Sequence, residues 1–205
     1  MSSTGARSGD PRIIEPMAAQ IEFDELYRIS PDDYHRLIEA GAFEDFPACE
    51  LIDGLLVRKD MKSREHENAI AWLARWLMFG VDQERFEVRI GAALTLERSE
   101  PEPDLMVIAL DVRRPYHPAT ATLAVEVSVS SLRRDLGRKA AIYAQAGVGE
   151  YWVFDVGARR LVAHRSPAGE GYAERIELGA GERIPRPPAG LPELVVDELL
   201  RATYS

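Results

Sequence analysis

The sequence is poor in cysteine and in lysine, and it has no long apolar run. Its one cysteine is Cys49. A disulfide within the chain is therefore excluded, and so is a zinc site built on several cysteines. No close pair of histidines or cysteines occurs, which argues against structural zinc. No stretch approaches the roughly 20 apolar residues of a membrane-spanning helix. The first residues, MSSTGARSGDPRIIEPMAAQ, lack the apolar segment of a secretory signal. These absences point to the reducing cytoplasm and away from membranes. No glycine-rich loop joins a strand to a helix, so no nucleotide cradle is expected. Neither a serine nucleophile elbow nor an H-E-x-x-H motif occurs.

What is present describes a globular chain. Its 205 residues suit one domain with a real core. Hydrophobic residues make up 46% and charged residues 29%. The formal net charge of −9 and a pI near 5.0 count against a strong non-specific DNA binder. They do not exclude a nucleic-acid enzyme, because metal-binding carboxylates add negative charge at the site itself. Basic residues gather in SLRRDLGRK, where Arg133, Arg134, Arg138 and Lys139 form either a solvated patch or a phosphate-facing one.

Residues 1 to about 20 lack periodicity and read as a loose tail, leaving 21–205 as a single domain. Ser30-Pro31-Asp32-Asp33 is a helix start, and that helix should end at Gly41. ELIDGLLVR, with Asp53-Gly54 between apolar runs, signals a hairpin. A helix follows from Ser63 to Phe79. RFEVRIGAALTLE, DLMVIAL and TLAVEVSV are strand-like. Another helix spans Asp135 to Ala146, then EYWVFDV, RLVAHR and YAERIEL read as strands, and VVDELLRA as a last short helix. The order implies an α+β or α/β sandwich, a mixed sheet flanked by helices.

Three residues stand out chemically. In TLAVEVSVS, Glu126 and Ser128 share a face with small neighbours, which leaves room for a ligand or marks a solvent-facing edge. Asp104 enters DLMVIAL, a strand apolar on both faces. A carboxylate there needs a partner, a hydrogen-bond cage or a cation; capping a turn is the plainer role. On DLGRKAAIYAQAG, Leu136, Ala140, Tyr143 and Gly147 form an inward stripe. Lys139 falls about 60° from its centre at about 100° per residue, at the rim of the buried face. Lysine occurs only at positions 59, 62 and 139, against 22 arginines. In so arginine-biased a chain, Lys139 suggests a requirement for a compact ammonium; a snorkelling lysine paired with Asp135, one turn before it, is the plainer role.

Pro103-Asp104 followed by Glu126-Val127-Ser128 resembles the PD-(D/E)XK nuclease superfamily. ELIDG, His66 early in the next helix, PEPD, VEVSVSS and the long RRDLGRKAAIYAQAGVGEYWVFD resemble more closely its Uma-two family of restriction-endonuclease-like proteins, over residues 30 to 200. The resemblance implies a restriction-endonuclease-like core. It implies a metal site of Asp104 and Glu126, with the Val127 peptide oxygen as a further ligand and Glu50 completing the acidic cluster. Superfamily members carry lysine where this chain has Ser128; relatives in the family supply it from the following helix, here Lys139. His66 matches the family pattern, although on the helix wheel it shares the Ile70, Leu73, Leu77 stripe and suits a hydrogen-bonded core histidine. Tyr143 flanks Lys139 one turn on.

Carboxylate ligands suit Mg²⁺ or Mn²⁺. The expectation is a metal-dependent DNA endonuclease, with Arg133, Arg134 and Arg138 as phosphate contacts. The alternative is a catalytically silent nuclease-fold protein serving as a nucleic-acid-binding or accessory module. The helix from Ser63 carries a second apolar stripe, Trp72, Trp76 and Phe79. It is covered by the first helix and the hairpin, or it forms a homodimer interface.

Overall fold

The computed structural model describes residues 26–45, 47–59, 61–112 and 116–205. The expected tail, 1–20, lies outside the described residues. Helix α1 spans Pro31–Glu39, where Ser30 and Asp33 form a reciprocal capping box. Strands β1 (Cys49–Ile52) and β2 (Leu55–Arg58) form the expected hairpin. Asp53 and Gly54 both have positive φ, 51° and 78°, as a two-residue turn requires. A side chain at position 54 would also collide with the segment packed on the turn. Its Cβ would lie 2.7 Å from the Arg28 Cβ and 2.9 Å from the Ile29 carbonyl oxygen.

Helix α2 runs Arg64–Gly80 behind an N-cap at Ser63. Strands β3 (Phe86–Ile90), β4 (Leu105–Ala109) and β5 (Leu123–Ser128) follow. The run RFEVRIGAALTLE is shorter as a strand than its pattern suggests. Gly91 turns away at φ 56°, and residues 92–97 of the run join no strand of the sheet. The next helix is in three parts: α3 (Leu132–Arg134), a π turn (Asp135–Lys139) and α4 (Ala140–Gln145). After it come β6 (Glu150–Asp155), β7 (Arg160–Ala168), β8 (Gly171–Leu178), the short pair β9 (Arg183–Ile184) and β10 (Leu194–Val195), and α5 (Val196–Thr203).

The main sheet has the order β3-β4-β5-β6-β7-β8. All its pairs are antiparallel except β5–β6, which are parallel and joined by the α3–π–α4 crossover. One face, with Leu105, Val107, Leu123, Val125 and Trp152, packs on Leu73 and Leu77 of α2 and Leu199 of α5. The other face, with Met106, Ile108, Ala124, Tyr151 and Val153, packs on Ala140, Ile142 and Tyr143 of α4. Burying each large apolar side chain contributes about 1.5–3 kcal/mol. All six residues of β5 are buried. The small-residue face of this strand is thus closed by α4, neither a solvent edge nor an open pocket wall along its length. Only its C-terminal end reaches a cavity.

The aromatic stripe of α2 is covered in part, and by a different segment from the one expected. Trp76 packs against Trp152 at 6.1 Å, and Trp72 stacks on Trp76 at 6.4 Å. Leu191 and Pro192 lie against Gly80, and α5 runs beside α2. Phe79 remains 85% exposed. No helix among the described residues is long and apolar enough to cross a membrane.

Candidate active site

The residues singled out from sequence meet at one end of the β4–β5 pair. The register pairs Leu105 with Val125 and Met106 with Ala124. Carried one step on, it sets Asp104 against Glu126. Asp104 Oδ2 accepts the Val127 N–H at 2.8 Å, just past the last strand pair. The Val127 carbonyl leaves the strand on that same side, because one residue's N–H and C=O serve the same neighbour in a ladder. His66 brings Nε2 to 3.3 Å from Asp104 Oδ1, its backbone held by the Ser63 cap. His66 is buried, and its Nδ1 has no hydrogen-bond partner. It therefore stands on the core stripe and beside the acidic pair at once.

Lys139 reaches this pair from the π turn. Its Nζ lies 2.8 Å from Glu126 Oε1 and 2.9 Å from Glu50 Oε2. Only 3% of Lys139 is exposed, so it is not at the rim of the helix as a regular wheel predicts. The cause is local. A π turn closes i→i+5 bonds, so it advances less per residue than an α-helix and swings Lys139 inward. The turn is pinned from the sheet: Ser128 Oγ donates to Asp135 Oδ2 at 2.8 Å, and Ser131 Oγ donates to the same oxygen. Tyr151 donates to the Asp135 carbonyl at 3.1 Å. Ser128, at the position where superfamily members carry lysine, thus holds the turn that delivers Lys139. Sequence reasoning missed Ser131, and it placed Asp135 only as a partner for Lys139 one turn on, whereas Asp135 anchors the turn through Ser128 and Ser131.

Tyr143 donates to Glu126 Oε1 at 3.2 Å, so both donors fall on one carboxylate oxygen. Burial raises the Glu126 carboxyl; Lys139 opposes this, and Asp104, Asp135 and Glu50 reinforce it, pushing it up to about 8. Burial also favours a neutral Lys139, but Glu126, Glu50 and Asp135 outweigh it and hold the ammonium above its ordinary range. Burial and Glu126 push the Tyr143 phenol up. The floor of the site is therefore crowded with carboxylates around one ammonium.

Glu50 is drawn to Lys139 and also accepts the Glu102 N–H at 3.2 Å. It does not bring a carboxylate oxygen into a mutual 4.8 Å cluster with Asp104 and Glu126. These residues line a cavity of about 60 Å³, with Lys59, Lys62 and Arg134 at its mouth. Arg134 Nε lies 3.8 Å from Glu50. Arg133 and Arg138 line a shallow groove beside it. The Arg138 guanidinium is forked onto Asp53 on the hairpin, so of the three arginines only Arg134 reaches the cavity itself. The donor set fits a hard divalent ion: carboxylates from facing strand ends, a peptide oxygen, and room for retained water.

A mixed sheet with this crossover, flanked by helices, is the restriction-endonuclease-like fold. The Uma2 family model, described as "Putative restriction endonuclease", matches residues 31–199, and the chain belongs to that family. It is similar to a crystal structure titled as a putative nuclease belonging to DUF820 from Anabaena variabilis ATCC 29413. The two share 16% identity and a TM-score of 0.67, over 85% of this chain and 99% of that one. At that identity the likeness speaks to fold alone. No curated protein matches. Family and fold together support a nuclease.

Proposed function

We propose that this chain is a cytoplasmic, metal-dependent DNA endonuclease that hydrolyses phosphodiester bonds, with Asp104, Glu126 and the Val127 carbonyl holding Mg²⁺ or Mn²⁺. The observation that carries this reading is the convergence of Asp104, Glu126 and Lys139 at one cavity from β4, β5 and the π turn. A divalent ion there supplies an activated water and charge neutralisation at the phosphoryl group. Lys139 keeps its proton and stabilises negative charge developing on the phosphate; it is not the base. Glu50 and Tyr143 fix the direction of Lys139 and Glu126, and His66 steadies Asp104. Lys59, Lys62 and Arg134 hold flanking phosphates at the mouth, with Arg133 and Arg138 further along the groove. A single domain from 21 to 205 carries the activity. The exposed end of the α2 aromatic stripe joins two copies, which sets two sites on one duplex.

The test is cleavage of supercoiled plasmid and of single-stranded DNA with Mg²⁺ or Mn²⁺, beside Asp104→Ala and an EDTA control. Nicking that needs the ion and Asp104 supports the reading. Tight DNA binding with no cleavage at any ion would favour the silent binding module instead. Calorimetric titration with Mn²⁺ should show binding that Glu126→Ala abolishes.

A further inference from the structure

Two of the four histidines meet in a second cluster, none of whose residues lines the Asp104–Glu126 cavity. His35 on α1 brings Nε2 to 2.7 Å from Glu100 Oε2. His117 brings Nε2 to 3.7 Å from Glu100 Oε1. One ligand atom from each lies within 4.8 Å of the others, and no other trio of His, Cys, Asp or Glu among the described residues does so. In a tetrahedral zinc site, bonds near 2.0–2.2 Å set ligand atoms about 3.4 Å apart. The two measured separations bracket that value.

Glu100 is 3% exposed, and no Lys or Arg among the described residues pairs with it. A buried carboxylate so placed calls for a cation. Thr95 Oγ1 donates to Glu100 Oε2 at 2.9 Å and accepts the backbone N–H of His117 at 3.2 Å. One hydroxyl thus orients the Glu100 carboxylate, as outer partners do at built metal sites, and holds the backbone that carries His117 beside it. Tyr116 stacks on the His35 ring at 4.0 Å and limits its rotation.

We propose that His35, Glu100 and His117 form a second metal site, for Zn²⁺ or a similar borderline divalent ion, that clamps α1 to the backbone at Glu100 and His117. Two imidazoles and a carboxylate select such an ion, whereas the all-oxygen set at Asp104 and Glu126 selects a harder one. The backbone of Glu100 bridges Leu51 in both directions, at 2.7 and 3.4 Å, and Leu51 follows Glu50. The clamp therefore steadies the strand that carries Glu50. The sequence argued against zinc because no close histidine pair exists. The fold makes the pair from residues 35 and 117, across 65 residues between His35 and Glu100 alone.

The test uses tag-free full-length protein stripped with EDTA, titrated with ZnCl₂ by calorimetry and with Co²⁺ by visible absorption. The expected result is one Zn²⁺ equivalent in wild type, kept in Asp104→Ala and lost in His35→Ala and in His117→Ala. Thr95→Val should weaken it about 10- to 100-fold. His117 is on a partly exposed segment, and circular dichroism of that variant checks the fold. Three outcomes overturn the proposal: no binding by wild type, binding unchanged in both histidine variants, or binding lost in Asp104→Ala and kept in His117→Ala.

Discussion

Lys139 Nζ and Glu126 Oε1 lie 2.8 Å apart across 13 residues of sequence, one from a π turn and one from the central strand beneath it. Both groups are buried, and Glu50 closes on the same ammonium from the hairpin side. The geometry links the catalytic reading to stability, because one cation answers two buried acids.

Removing that cation should cost both. Breaking a buried pair by deleting one partner costs about 3–5 kcal/mol, since the other charge is left unanswered. Lys139→Ala is expected to lower the urea midpoint, abolish plasmid cleavage and leave Mn²⁺ affinity largely intact. Lys139→Met with Glu50→Gln should recover part of the stability and none of the cleavage. Lys139→Arg should rescue poorly, because the guanidinium is wider than the slot between two carboxylates. Full cleavage by Lys139→Ala would show that the residue plays no part in the chemistry.

Ser128 acts one step away, by positioning. Its hydroxyl holds Asp135, and Asp135 opens the turn that carries Lys139. Ser128→Ala leaves a buried carboxylate oxygen with one donor fewer, at a cost of about 1–3 kcal/mol. The turn should loosen, so kcat is expected to fall while KM for DNA stays close to wild type. A rise in KM with unchanged kcat would assign Ser128 to DNA binding instead.

Much of this architecture was written locally. Ser30 with Asp33 and Ser63 before α2 fix helix starts through short-range hydrogen bonds, and Asp53-Gly54 fixes a hairpin through its positive φ angles. Asp104 and Glu126 were legible because strand alternation and the family resemblance pointed to the same pair. The inward turn of Lys139 was not, because the π turn depends on Ser128 and Tyr151 from the sheet, which a helical wheel ignores. Nor was the end of β3 at Gly91, or the meeting of His35 with His117, which only the packed fold brings about. The cover on Trp76 comes from Trp152 and the C-terminal segment, a contact between remote parts of the chain.

That cover changes how the dimer should be tested. Trp76 is partly buried and packs on the core through Trp152, so a charge there would destabilise the fold whatever its assembly. Phe79 and Met78 are exposed at the end of the same helix. Phe79→Glu is expected to convert a dimer to a monomer in sedimentation velocity, with the unfolding midpoint of the monomer unchanged. A wild type that sediments as a monomer at tens of micromolar, on the order of the Kd range of weak interfaces, removes the dimer from the reading.

His164 on β7 is buried beside Tyr151 and Tyr172, with ring centroids 5.7 Å from each, and its Nδ1 has no partner. Burial lowers its pKa from 6.5; the polar backbone of Tyr151 opposes this, and Arg175 across the strand pair adds to it. The folded state therefore favours neutral imidazole, while the unfolded chain takes up a proton near 6.5. Stability from this residue is complete above that value and is lost as pH falls below it toward the folded pKa. The urea midpoint of wild type should drop between pH 7.5 and 5.5. His164→Phe keeps the aromatic stack and cannot take the proton, so its midpoint should drop less over that interval. Parallel curves for the two proteins would assign the acid sensitivity to other groups.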